Sequence, residues 1–275
     1  MSDLYTRIQE SAAVVRERAP EPVEFGVILG TGLGEVADRI EQAVTIPFAE
    51  IPHFPVSTAI SHAGNLHVGT LEGRRVAVMQ GRAHYYEGYS MQDITLPVRA
   101  MRELGAHSLI MSNAVGGMNP KHQPGDVGVI VDHINLMGDN PLIGENDERL
   151  GPRFPDMSEP YDRSFIATME QVALDARIPL KKAVYVAVAG PNLETGAEYR
   201  FLRAVGADTV GMSSVPECLA AVHGGMRVVG LSVITDACFP DALHPANVEQ
   251  IIKVANAAQP DLEALVTAFL DRVEL

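Results

Sequence analysis

A chain of 275 residues can bury one sizeable core, and its 47% hydrophobic content with 24 glycines and 18 prolines excludes the fibrous and disordered classes in favour of an α/β enzyme. The balance of 21 basic against 35 acidic residues, a net −14, argues against nucleic acid as a partner, because that affinity rests on a basic surface neutralising phosphates. An anionic substrate would need a local positive pocket set against this global field. The start, Met1–Arg7, lacks the apolar core of a signal peptide, and no stretch is apolar for long enough to span a bilayer. A cytoplasmic protein with no membrane attachment is therefore expected. Cys218 and Cys238 make neither a disulfide framework nor a zinc site.

In chain order, Leu4, Ile8, Ala12 and Val15 recur at helical spacing and predict an amphipathic helix over 3–17, ended by Pro20 and Pro22. Phe25–Leu29 reads as a short buried strand running into Gly30-Thr31-Gly32-Leu33-Gly34, with a helix beginning there. Strand, glycine turn and helix N-terminus together suit an anion, since free backbone N–H groups point outward. A dinucleotide fingerprint is the rival reading, but the third glycine comes one residue early and Glu50 falls in a loop rather than at a strand end. A hairpin is predicted from Leu66–Leu71 and Arg75–Met79. Ser90 and Asp93 form a capping pair opening a helix that Pro97 should kink and Gly105 should stop.

Ser108–Ser112 reads as a strand that empties into a glycine-rich turn, Asn113–Pro120. Val127–Val131 is another, followed by an irregular segment from Asp132 to about Tyr161, whose length without periodicity suggests a functional loop or an interface. A helix over about 162–176, a strand at Ala183–Val188 and a helix capped by Thr195 with Glu198 follow. Asp208–Gly211 leads to Met212–Glu217 and a helix running toward Gly224; Arg227–Ile234 is the last strong strand, ending in Thr235-Asp236-Ala237-Cys238. Apolar residues at 248, 251, 252, 255, 262, 265, 266 and 269 mark closing helices divided by Pro260. Alternating strands and helices argue for an α/β layer fold, with polar residues gathered just past the strand ends.

The octet Gly81-Arg82-Ala83-His84-Tyr85-Tyr86-Glu87-Gly88 carries the clearest chemistry. Arg82 and His84, two apart on an extended strand end, point to the same side and offer a guanidinium fork and an imidazole to an oxyanion. Taken alone, both would serve equally as solvated loop residues. Met212 would by itself be a core residue, and Thr31 and Ser213 turn or cap residues. Cys238 beside Asp236 invites a nucleophile reading, but the local signatures of cysteine enzymes are missing.

Several of these stretches, in order, resemble the trimeric class of purine nucleoside phosphorylases along nearly the whole chain. They are Ile28–Gly34, His62-Ala63-Gly64, Gly81–Gly88, Ser112–Pro120, Asn146–Arg149 with Arg153-Phe154-Pro155, Gly190–Thr195 and Val210–Glu217. The resemblance implies one domain over 1–275, with a mixed, barrel-like β-sheet surrounded by helices. It implies reversible phosphorolysis of purine (2′-deoxy)ribonucleosides, with inosine and guanosine preferred, no metal or organic cofactor, inorganic phosphate as a substrate, and a homotrimer. By similarity the phosphate site is Thr31, His62, Arg82, His84, Ser213 and the backbone N–H of Ala114. Tyr86 falls at the sugar with Met212 beneath it, and Leu193, Glu194 and Asp236 fall around the purine. His84, Glu194 and Asp236 are the candidate catalytic groups, and Phe154 falls where a neighbouring subunit closes the pocket.

The chain departs from that pattern at two places. Asp236 replaces the base-contacting asparagine, and Val248 stands where a histidine meets the sugar 5′-hydroxyl, with His244 a few residues earlier as a possible substitute. Both lean toward the related methylthioadenosine phosphorylases. A non-catalytic purine-binding protein is a further alternative.

Overall fold

The structure is a computed structural model that describes residues 3–30, 34–58 and 63–274. Helix α1 (Leu4–Arg18) is opened by Asp3, whose carboxylate accepts from the Thr6 amide, and buries Ile8, Ser11, Ala12 and Val15. The strand β1 (Phe25–Leu29) is buried at every position, as expected of a strand flanked by parallel neighbours. It pairs in parallel with β4 (Arg74–Gln80) on one side and β5 (Ser108–Gly117) on the other. The predicted hairpin is β3 (Asn65–Leu71) with β4, extended by an outer strand β2 (Glu41–Pro47). The sequence reading missed β2. Most of its side chains are solvent-facing, so it lacks an alternating apolar pattern.

The remaining strands are β6 (Val127–Leu136), β7 (Leu180–Val188), β8 (Thr209–Gly211) and β9 (Arg227–Ala237). The nine strands run in the order β2-β3-β4-β1-β5-β8-β7-β6-β9, and β5 also pairs with β9. That pairing closes β5, β8, β7, β6 and β9 into a mixed barrel, with β1 to β4 as a flange. Helices α2 (Met91–Glu103), α3 (Arg163–Ala176), α4 (Gly196–Ala204), α5 (Val215–His223), α6 (Val248–Ala257) and α7 (Gln259–Arg272) surround it. The mixed, barrel-like sheet wrapped by helices is thus the fold that the motifs implied.

Two expectations need correction. Asn113–Gly117 is not a turn but the second half of β5, held by parallel pairing with β9 and antiparallel pairing with β8. Strand β6 likewise runs to Leu136, so the irregular segment begins only at Met137; pairing with β7 carries it past the apolar run. Pro97 stands inside α2, which runs from Met91 to Glu103. Pro260, by contrast, stands in the first turn of α7, where its missing N–H costs nothing.

The largest fully buried side chains include Phe25, Phe48, Phe165, Phe269, Tyr161 and Tyr185. Each such apolar ring contributes about 1.5–3 kcal/mol by leaving water. Helices α1 and α5 pack on α2, and α3 packs on α7, so the outer layer is itself cross-braced.

Candidate active site

Where β1, β4, β5, β8 and β9 end, the chain leaves a cleft of about 200 Å³. Two glycines let the backbone come this close. A Cβ on Gly30 would stand 2.7 Å from the Ser112 carbonyl oxygen, and one on Gly116 would stand 2.6 Å from Cys238 Sγ. Any side chain there would push β1 or β9 away from β5.

One end of the cleft is built around Arg82. Its guanidinium is buried, and Nη1 donates to Ser214 Oγ and to Glu217 Oε1, each at 3.1 Å, while Nη2 donates to the Ser112 carbonyl. Ser214 Oγ also accepts from Asn113 Nδ2 at 2.8 Å, and Ser112 Oγ accepts from the Gly30 amide at 3.1 Å. Strands β1 and β5 and helix α5 therefore converge on one arginine. Ser214 has φ 67°, ψ −39°, a left-handed conformation costly for serine, and its hydrogen bonds hold it there. Tyr185 pins the preceding position: its hydroxyl donates to the Ser213 carbonyl at 2.9 Å and accepts from the Ser213 amide at 3.2 Å.

His84 lines the same end. Burial, and then the Arg82 charge, hold its pKa below the ordinary histidine value, so the ring is neutral near pH 7. Nδ1 lies 3.2 Å from Glu87 Oε1, which makes Nδ1 the donor and Nε2 an acceptor. Burial by itself would raise the Glu87 carboxyl, but bonds from Thr58 and His84 hold it below its usual value. Tyr86 stacks on His84 with ring centroids 4.8 Å apart.

Glu194 and Asp236 line the other end with Tyr199 and Cys238. Burial raises the Glu194 pKa, a hydrogen bond with Tyr199 opposes the rise, and the Asp236 charge adds to it. Asp236 Oδ1 accepts from Thr235 Oγ1 at 2.9 Å and Oδ2 from Cys238 Sγ at 3.1 Å. Burial pushes the Cys238 thiol far up, so it is no nucleophile.

The cleft brings together Arg82, His84, Tyr86, Ala114, Leu193, Glu194, Met212, Ser213 and Asp236, drawn from positions as far apart as 82 and 236. Thr31 and His62 lie outside the described residues. His244 is exposed and does not line the cleft, and neither does Val248; Ile251, one turn into α6, does so instead. Phe154 is 87% exposed and takes no part in this chain's own cleft. The sequence reading missed Ser112, Asn113, Ser214, Glu217, Tyr185 and Tyr199 as site residues. Glu217 left one signal, a lone charge in the apolar run Val215–Val222. Among the described residues, no group of three or more His, Cys, Asp and Glu side chains is placed to hold a metal ion.

Purine nucleoside phosphorylase 1 of Bacillus subtilis (strain 168) is 48% identical over 268 residues, covering 98% of this chain and 99% of that protein. The crystal structure of Schistosoma mansoni purine nucleoside phosphorylase in complex with inosine matches at TM-score 0.93 and 35% identity, over 98% of this chain and 97% of the other. The same enzyme in complex with adenosine matches at TM-score 0.93 and 36% identity, over 98% of both chains. The family model of the phosphorylase superfamily matches residues 24–271, from the residue before β1 into α7. On that match, and on a relative nearly half identical along almost its whole length, the chain belongs to the phosphorylase superfamily.

Proposed function

We propose that this protein is a purine nucleoside phosphorylase, cleaving purine (2′-deoxy)ribonucleosides reversibly to the free base and a pentose 1-phosphate, with inosine and guanosine preferred. The observation that carries this reading is one cleft holding a buried arginine with a neutral histidine at one end and two carboxylates at the other. The names of the bacillary and schistosomal relatives support it. Arg82, His84, Ser213 and the Ala114 amide, with Thr31 and His62, would hold phosphate; phosphate would be a substrate and no cofactor would be needed. Cytoplasmic purine salvage is the setting that fits.

Breaking the N-glycosidic bond develops oxocarbenium character on the sugar, and phosphate can attack C1′ itself. The protein then needs no covalent nucleophile. It must orient phosphate, sugar and base and stabilise the departing purine. Tyr86 and Met212 would bracket the sugar, while Leu193, Glu194 and Asp236 would receive the base. Base release from inosine tests the reading: release should require phosphate, and equal release without it would make the enzyme a hydrolase.

Two further expectations concern the assembly and the 5′ end of the sugar. Phe154 is 87% exposed, in the stretch that the resemblance places against a neighbouring subunit. In a homotrimer each copy would lend it to a neighbour's cleft and exclude water from the sugar. Sedimentation at assay concentration should show a trimer, and an active monomer would end this part of the reading.

Of the stretch around Val248, Ile251 lines the cleft, and no imidazole of that stretch does. A site built to bond a hydroxyl rejects its deoxy analogue strongly, whereas an apolar wall does not. 5′-Deoxyinosine should therefore keep kcat/KM within about tenfold of inosine, and 5′-methylthio nucleosides should be accepted. A larger loss would mean that His244 swings in to the hydroxyl.

A further inference from the structure

Met212, Ser213 and Ser214 join the end of β8 to the start of α5, and the first two line the cleft. The Val215 amide donates to the Ser213 carbonyl at 2.8 Å, which closes a tight three-residue turn centred on Ser214. Its φ of 67° and ψ of −39° lie near those of the rare, strained form of the γ-turn. The turn sets Ser213 Oγ 3.4 Å from Ser214 Oγ, on which Arg82 Nη1 and Asn113 Nδ2 converge. Such a turn persists only where its surroundings over-determine it.

On the other side the support is Tyr185, which is fully buried and does not line the cleft. Parallel pairing of β7 with β8 sets Tyr185 opposite Thr209, and its side chain reaches on to the turn. Its hydroxyl meets both backbone groups of Ser213, donating to the carbonyl and accepting from the amide. Phenylalanine would fill nearly the same core volume, but only a hydroxyl can donate and accept at once. Gly211 makes room for it, since a Cβ there would stand 2.8 Å from Tyr185 Oη.

We propose that Tyr185 is a positioning residue for phosphate: its hydroxyl fixes the backbone of Ser213, and through it the side chain that Ser213 offers to the anion. The proposal rests on the nucleoside phosphorylase reading, in which Ser213 holds phosphate and Met212 faces the sugar. A hydrogen bond weakens steeply once its angle closes, whereas an apolar contact is not directional. Loss of the tether therefore falls on phosphate at Ser213 more heavily than on the sugar at Met212.

The test compares the KM for phosphate with the KM for inosine. Tyr185→Phe keeps the ring and removes the hydroxyl; KM for phosphate should rise about tenfold, the worth of a buried backbone group left unpaired, while KM for inosine stays within about threefold of the parent. Ser213→Ala should raise KM for phosphate as well. The double variant Tyr185→Phe/Ser213→Ala should lose less than the product of the two single losses, because both act on one bond. Gly211→Ala leaves Tyr185 in place but crowds its hydroxyl, so it should show the same selective rise, and it carries the test if Tyr185→Phe does not fold. A merely structural role would lower the melting temperature and the fraction of active enzyme, and with it kcat, leaving KM for phosphate unmoved. A rise below about threefold, an equal rise in both KM values, or single losses that multiply overturn the proposal while the phosphorylase reading stands. A parent enzyme that releases no base from inosine with phosphate overturns both.

Discussion

Replacing Arg82 with alanine is expected to lower kcat/KM for phosphate by at least about a hundredfold, the usual cost of losing a donor aimed at developing charge. Arginine has five N–H donors, and among the described residues Ser214, Glu217 and Ser112 engage those on one side of the guanidinium. The Nε edge remains for an anion, and the three protein acceptors hold the fork in place before phosphate arrives. Charge-assisted bonds from it would tighten as phosphate attacks.

The same substitution has a second effect that must be separated from the first. It strands the buried Glu217 carboxylate, whose Oε2 has no hydrogen-bond partner among the described residues, and removing one member of a buried pair costs about 3–5 kcal/mol. The melting temperature should therefore fall along with phosphate use. In the double variant Arg82→Ala/Glu217→Gln, stability should recover in part while phosphate use should not. Steady-state kinetics with phosphate varied, read beside thermal unfolding, distinguishes the two effects. An Arg82→Ala enzyme with the parent's KM for phosphate would reduce Arg82 to a structural residue.

The second large effect is expected at Asp236. Inosine and guanosine should be cleaved with higher kcat/KM than adenosine, and Asp236→Asn should widen that gap. Ionised Glu194 can accept N1–H of a 6-oxopurine and the 2-amino group of guanine, but it meets the bare N1 of adenine acceptor to acceptor. An unpaired buried acceptor costs about 1–3 kcal/mol, enough for a preference and too little for exclusion. Asp236 moderates the preference, because its ionised form accepts a 6-amino group. An asparagine at 236 donates to O6 with no proton to acquire, and it keeps a carbonyl for the Cys238 thiol. The inosine-to-adenosine ratio should rise by about tenfold, the worth of one such bond to a charged group. Adenosine preferred by the parent, or a ratio unmoved by the substitution, would mean that these carboxylates do not read the 6-position.

Much of the chain was legible before folding because its signals are local. The caps at Ser90 and Thr195 are short-range hydrogen bonds, and apolar periodicity marks α1 and α7 whatever surrounds them. The glycine-flanked octet likewise kept its chemistry, since Arg82 and His84 are set side by side by a strand end and a short turn. Strand β2 and the second half of β5 were not legible, because their partners lie far along the chain and pairing, not propensity, makes them strands.

The composition of the cleft depended on tertiary structure for the same reason. Glu217 and Ser214 become arginine ligands only because α5 starts where β5 and the octet end, more than 130 positions from Arg82. Tyr199 and Cys238 stand in the same cleft as the two carboxylates only because both join a small apolar cluster with Met118, Val186 and Val210. His244 and Ile251 sit on the same stretch of chain, and only the start of α6 at Val248 decides that Ile251 reaches the cleft while His244 stays in solvent. Residue types and their order determined which chemistry was possible here. Which side chains line the cleft, or hold the arginine in place, was decided by contacts between segments that have no relation along the sequence.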